Sequence, residues 1–352
     1  MLRMRSPAPV TLVPLAAGLH LRWPRFNAAA LQSLLHREAP DALALEPLRP
    51  GFAEATGWQD HEELLLPWTA VPWARRVGAE LYGVHEPSPD PGAASDLIRY
   101  LEGYPAARPA LDALAALERS LAELLAGPLT LSRVLDEAVP LLATDRAARL
   151  AAFGDGPATD WAEERSARAA ERIVAIDARH VLVLVALDRY ASLRDALEGR
   201  GAELRRPSEP PADETALARS RERALLDLAW RGETDDAGAL LGELRRLGHA
   251  EARYHAAGLL LAHGHPAEAL AELEGALRLD FAQPYFLPGS LLARLGQLRD
   301  VAGRRSAALQ AYRGVLALEW APRDALMAAS EGLARPFVLP AQRGAPRRSG
   351  EP

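Results

Sequence analysis

The chain has 352 residues, with 28 Pro, 26 Gly, no Cys and a formal net charge of −6. A single core stops growing near about 250–300 residues, so this length points to two domains. The missing Cys excludes disulfides, thiolate zinc and iron–sulfur ligation; the 41 basic residues are all Arg, which excludes Schiff-base lysines and a Walker-type phosphate lysine; and the acidic balance points away from nucleic acid.

The N-terminus, residues 1–9, is read as a flexible lead. Arg3 and Arg5 before an apolar run imitate a secretory signal, but Pro9 and Pro14 break that pattern. A buried first strand over residues 10–15 fits better. Asn27 is placed to cap a helix running through His36, with Leu31, Leu34 and Leu35 on one face. Residues 42–45 form a second strand ending at Glu46. Residues 64–79 read as a helix interrupted by Pro67 and Pro72, and residues 80–84 as a third strand. Leu111, Leu114, Leu117, Leu121 and Leu124 give residues 106–126 a strong helical period. A helix over residues 161–176 precedes the continuous apolar run 181–187, which suits a strand buried on both faces; a helix over residues 191–199 follows. Strands alternating with helices predict an α/β domain over residues 10–205, with a mostly parallel central sheet flanked by helices.

Three Pro among charged and small residues mark residues 206–214 as a linker. Everything from 215 to 337 reads as helical, and residues 338–352 as a disordered tail. Gly232, Gly264 and Gly303 are each followed five residues later by Ala237, Ala269 and Ala308. Ala276 and Val315 stand seven residues after the later two Ala, where helices must approach closely, and Leu295-Gly296 supplies the small residue of a first helix. This all-α pattern resembles degenerate tetratricopeptide repeats. The intervals of 32 and 39 residues bracket the family period of about 34, the longer one carrying an insertion within residues 281–290. Phe281 and Trp320 stand where that family usually has Pro. Such a repeat domain implies a protein or peptide partner held by residues 215–337.

No G-x-S-x-G elbow or P-loop is present. His61-Glu62-Glu63 lacks the second His of a zincin, Gly154-Asp155-Gly156 is too short for a dinucleotide fingerprint, and His263-Gly264-His265 falls on a repeat turn. Trp58, Trp68 and Trp73 suit core packing better than a pocket. No apolar run reaches the roughly 18 residues of a membrane span, and a cytoplasmic protein is expected. The polar groups with chemistry instead collect where strands end. His20 follows the first strand, Glu46 ends the second, His85 and Glu86 end the third, and Asp188 and Arg189 end the last. In a parallel sheet these positions share one edge, and an imidazole with a carboxylate there could hold a divalent metal or act as base and electrostatic partner. Each is also readable singly as a solvated strand-end group.

The segments VTLVPLAAGLH, DALALE, LPWTAVPWARRVGAELYGVHEP, ERSARAAERI and HVLVLVALDRYASLRDAL, in that order, resemble the TraB/PrgY–ChaN–Tiki superfamily across residues 10–205. The resemblance places the family's first His on His20, its strand-end Glu on Glu46 and its helix Arg on Arg165. Its last His falls on Arg189, and its glycines fall on Ala17, Ala186 and Asp188. Some members of that family are metal-dependent proteases and others bind haem. The resemblance therefore implies a hydrolase-like or metal- or ligand-binding domain, with His20, Glu46 and Arg165 as catalytic candidates and His20 and Glu46 as metal candidates. Arg189 in place of a His points to a degenerate site. The alternative is a non-catalytic scaffold or adaptor whose helical repeats bind a protein partner.

Overall fold

The computed structural model describes residues 8–16, 26–52, 61, 63, 65–210, 213–231 and 236–339. The chain divides into two compact units, Met1–Leu228 and Ala229–Pro352.

The first unit is built on a five-stranded sheet in the order β3-β2-β4-β1-β5. Its strands are β1 (Val10–Leu15), β2 (Ala42–Leu45), β3 (Glu80–Gly83), β4 (Val181–Ala186) and β5 (Leu204–Arg205), and every pairing is parallel. The continuous apolar run of β4 follows from its place between β2 and β1, where both of its faces are covered. β5 has two residues, too few for any periodicity to announce it. The helices α1 (Ala28–Glu38) and α2 (Val71–Val77) follow β1 and β2, whereas α7 (Ala162–Val174) and α8 (Tyr190–Glu198) precede and follow β4. The chain steps one way along the sheet through the first pair and back through the second. Right-handed crossovers therefore put the two pairs on opposite faces. In agreement, α7 packs on α8, and α1 packs on the turn that leads into α2.

Asn27 caps α1 as its residue type requires, accepting from the amides of Ala29 and Ala30 at 3.0 and 3.2 Å. The expected break at the prolines takes a particular form. Leu66–Ala70 is a π-helical turn that runs straight into α2. Pro72 has no N–H and its ring crowds the carbonyl four residues back, which lies in that widened turn. The same device recurs where the π turn Val134–Ala138 leads into α6 (Val139–Phe153), with Pro140 second in the helix. α6, α3 (Ala93–Leu101), α4 (Arg108–Ala126) and the short α5 (Leu131–Arg133) form an excursion between β3 and α7. The leucine face of α4 is real but shallow, with Leu114 its one fully buried member.

The segment expected to link the domains is tied down at its start. Arg206 makes a two-pronged pair with Asp136 at 2.7 and 2.8 Å. Ser208 donates to Glu38, and Glu209 caps α5 by accepting from the amides of Leu131 and Ser132 at 3.1 and 2.7 Å. α9 (Glu214–Arg231) then begins within the first unit, where the Asn27 amide donates to the Ser220 carbonyl and Arg223 lies 5.3 Å over the Trp68 ring.

The second unit is a bundle of helices that stack in chain order as in a helical-repeat array. It contains α10 (Ala237–Leu247), α11 (Ala250–Ala262), α12 (Pro266–Ala276), α13 (Leu287–Val301), α14 (Arg305–Leu316) and α15 (Arg323–Ala334). Each helix packs on the next, and α13 also packs on α11 and α15. Close approach is possible because Ala269, Ala276, Ala308 and Val315 are sealed between helices. The segment between α12 and α13 packs through its aromatic rings: Tyr285 stacks on Trp320 at 4.5 Å, and Phe286 lies 4.7 Å from the Trp230 ring. At the far end the fully buried Tyr312 ring lies against Gly296 of α13 and Gly332 of α15, leaving no room for a side chain at either.

That contact makes a sharp prediction. Gly332→Ala forces a methyl group into the Tyr312 ring and should destabilise the second unit by about 1–3 kcal/mol in urea unfolding. Gly258→Ala, in α11 with open space around it, should be neutral or stabilising by up to about 1 kcal/mol. Equal effects of the two substitutions would contradict this packing.

Candidate functional site

The sheet register sets Leu45 of β2 beside Leu184 of β4 and Gly83 of β3. The residues that follow these strands therefore meet at one edge. The loop after β2 lies directly on the end of β3: His85 N–H donates to the Leu48 carbonyl at 2.9 Å. A side chain at Gly83 would collide with the carbonyl of Arg49, which is why only glycine fits there.

Glu46 is the centre of this edge and is 3% exposed. Its Oε1 lies 3.7 Å from Arg189 Nη1 and 3.8 Å from His85 Nδ1, and its Oε2 accepts from the Ala186 amide at 3.5 Å. His85 Nδ1 also sits 3.2 Å from the Glu46 backbone oxygen. Burial alone pushes the Glu46 carboxyl up; the His85 ring, the Arg189 charge and the Ala186 amide outweigh it and hold the group below the ordinary carboxylate value. Glu46 is thus a fixed anion at neutral pH. General acids and bases tuned to neutral pH show the opposite displacement, toward neutrality. The sign also fixes a pH dependence. The stabilisation from this ionised group is complete above the ordinary glutamate pKa of about 4.3 and is lost as the pH falls through its lower folded value.

The other predicted residues divide. Arg189 is 8% exposed and joins Glu46; its Nε has no hydrogen-bond partner. Arg165 is buried nearby and has partners of its own. Its Nε donates to the Glu86 carbonyl at 2.8 Å, and its Nη1 pairs with Asp160 and bonds the Asp160 carbonyl. Burial first, and then the Arg189 charge, lower its pKa against the pull of Asp160 and Glu46. The Glu86 carboxylate is committed elsewhere, to Arg168 at 2.8 Å and Arg172 at 2.5 Å. Asp188 keeps an exposed surface; the protein packed around its carboxyl, opposed by Arg189 and reinforced by Glu46, raises its pKa. His20 and Trp58 lie outside the described residues.

These positions correct the metal and hydrolase readings. Among the described residues no group of three or more His, Asp or Glu is placed to hold a metal ion. Glu46, expected as a metal ligand, already faces a guanidinium that cannot release its charge, so a divalent cation would meet repulsion from Arg189. The expected divalent cofactor is withdrawn, and with it the hydrolase-like or metal- and ligand-binding assignment of the α/β domain. Among the described residues no helix is long and apolar enough to cross a membrane.

Two polar nodes carry no signal in the sequence. One is Glu209 capping α5 from about 77 residues away. The other is Asp300 of α13, whose side chain is fully buried. It takes two bonds from Arg305 at 2.9 Å each, the Tyr312 hydroxyl at 3.0 Å and the Phe337 amide at 2.9 Å. Burial and the Asp300 acceptor push the Tyr312 hydroxyl far above its ordinary pKa, so it stays a donor. Every partner of Asp300 lies in the same unit, so this node fixes the chain that leaves α15 against α13.

Comparison with known protein families, curated proteins and solved structures returns no match to this chain.

The strand-end pair predicts strong thermodynamic coupling. Glu46→Leu or Arg189→Leu alone strands a buried charge and should cost about 3 kcal/mol in chemical unfolding at pH 7. The double substitution should recover most of that loss. Small, additive single effects would show that the two groups do not balance each other.

Proposed function

We propose that the chain is a non-catalytic scaffold or adaptor that holds a protein or peptide partner on its second, helical unit. The observation that carries this reading is the serial stacking of α10–α15, with each helix packed on its successor. Helical arrays of this kind present an extended surface built from successive helices, and their usual occupants are peptide segments or helices. The repeats are read as degenerate tetratricopeptide units. In support, Gly264 and Gly303 end their helices with φ of 82° and 72°, and Ala269 and Ala308 are fully buried five residues later. Gly232, the first of the series, lies outside the described residues. The resemblance to the TraB/PrgY–ChaN–Tiki superfamily enters as a proposal about ancestry. In this reading the α/β unit has kept the strand-end Glu46 and the helix Arg165, while Arg189 has replaced a His and neutralises Glu46 in place of chemistry.

The test uses the full chain. It has no Lys, so a benzophenone photocrosslinker is placed instead at exposed positions. Leu316 and Leu326 probe the helical unit, and Tyr100 and Asp188 the α/β unit. In the cells that make the protein, one partner, identified by mass spectrometry, should be captured from the helical positions. Adducts confined to position 188, or none at the helical positions, would contradict the adaptor reading.

A further inference from the structure

A groove of about 570 Å³ opens in the helical unit between α13, α15 and the chain that follows α15. Gln297 lines it from α13, and Met327 and Glu331 line it from α15. Phe337 and Val338 form the opposite wall. That wall is fixed in advance: the Phe337 amide is bonded to Asp300, and Arg305 reaches the Leu333 carbonyl from the same node. A partner therefore meets a groove already in shape, without the cost of ordering its wall.

The groove combines large apolar side chains with two carboxylates. Met327 is 55% exposed and Val338 78% exposed, both large groups left facing water. Asp324 and Glu331 stand seven residues apart, and therefore on one face of α15, with Met327 between them. Among the described residues neither carboxylate makes a salt bridge. Arg335, the one cation among the described lining residues, pairs with neither of them. Seven helical residues span about 10 Å; three residues of peptide in the extended polyproline II form span nearly the same length and return to the same face.

We propose that this groove binds an extended, basic and apolar peptide segment of a partner protein. A large apolar side chain of the segment seats against Met327 and Phe337. Two Arg or Lys three positions apart meet Asp324 and Glu331. The chain's own residues 340–352 fit less well: they include Arg343, Arg347 and Arg348 but no large apolar side chain. The proposal rests on the adaptor reading and gives its partner a chemistry.

The test is fluorescence anisotropy with labelled peptides on the full chain. An Arg-Leu-Ala-Arg probe should bind saturably, and more weakly as salt is raised. Replacing the probe's Leu by Ala, or its two Arg by Glu, should cost about tenfold or more in affinity, a typical loss for one buried anchor or one ion pair. Asp324→Asn with Glu331→Gln should cost about as much for the basic probe. Both side chains are exposed, so these variants should keep the parent's unfolding midpoint. Absence of saturable binding, or equal affinity for the carboxamide variant, overturns the proposal. A tenfold or greater gain on removing residues 340–352 also overturns it, since the chain's own tail would then be the occupant; unchanged affinity supports it. The two readings fail separately. A partner that still crosslinks to positions 316 and 326 of the carboxamide variant at the parent's yield removes the groove but leaves the adaptor. No capture at those positions removes the adaptor, whatever the peptides do.

Discussion

A carboxylate taken out of water at the ends of parallel strands has to be balanced by something, and at Glu46 the balance is a guanidinium 3.7 Å away. Much of the first unit follows from that requirement. β4 must lie beside β2 so that Arg189, three residues beyond the strand, comes near Glu46. The loop after β2 must lie on β3 so that His85 flanks the same carboxyl, and Gly83 must stay a glycine for that loop to fit. Arg165, buried in the same neighbourhood, is held by Asp160 and the Glu86 carbonyl. At the edge where α/β sheets usually bind ligands, the described residues place Glu46 beside Arg189 and His85.

The second unit meets a similar constraint with different groups. Tyr312 fills the space that two glycines leave, and its hydroxyl needs an acceptor in the interior. Asp300 supplies it, and Arg305 neutralises Asp300. The remaining capacity of Asp300 takes the Phe337 amide. A polar network used this fully is rigid, and it turns the chain after α15 into the wall of a groove. In one unit a buried acid–base set balances a strand-end carboxylate; in the other it shapes a surface.

Much of this was legible locally. The apolar run of β4, the Asn27 cap, the strand ends at Glu46 and His85, and the small residues Ala269 and Ala308 all follow from period or residue type. What stayed hidden was non-local. Glu86 reads as a strand-end acid like Glu46, yet Arg168 and Arg172 hold it, and only their place on the facing helix decides that. Arg189 reads as the loss of a His; its gain, a partner for Glu46, becomes visible only when β4 and β2 are adjacent. Glu209 caps a helix, and Asp300 holds Tyr312 and Phe337, across separations that no local pattern encodes. The π turns before Pro72 and Pro140 are an intermediate case: the prolines announce a break, but the surrounding packing lets each helix continue.

The first unit rests on Glu46 being an ionised anion held by Arg189 and His85. A pH titration of its side-chain carboxyl by carbon-13 NMR in the full chain tests this most directly. The Arg189 and His85 partners predict a midpoint below the ordinary glutamate value of about 4.3. A midpoint raised toward neutrality, as a proton-transferring carboxyl would have, would contradict the account.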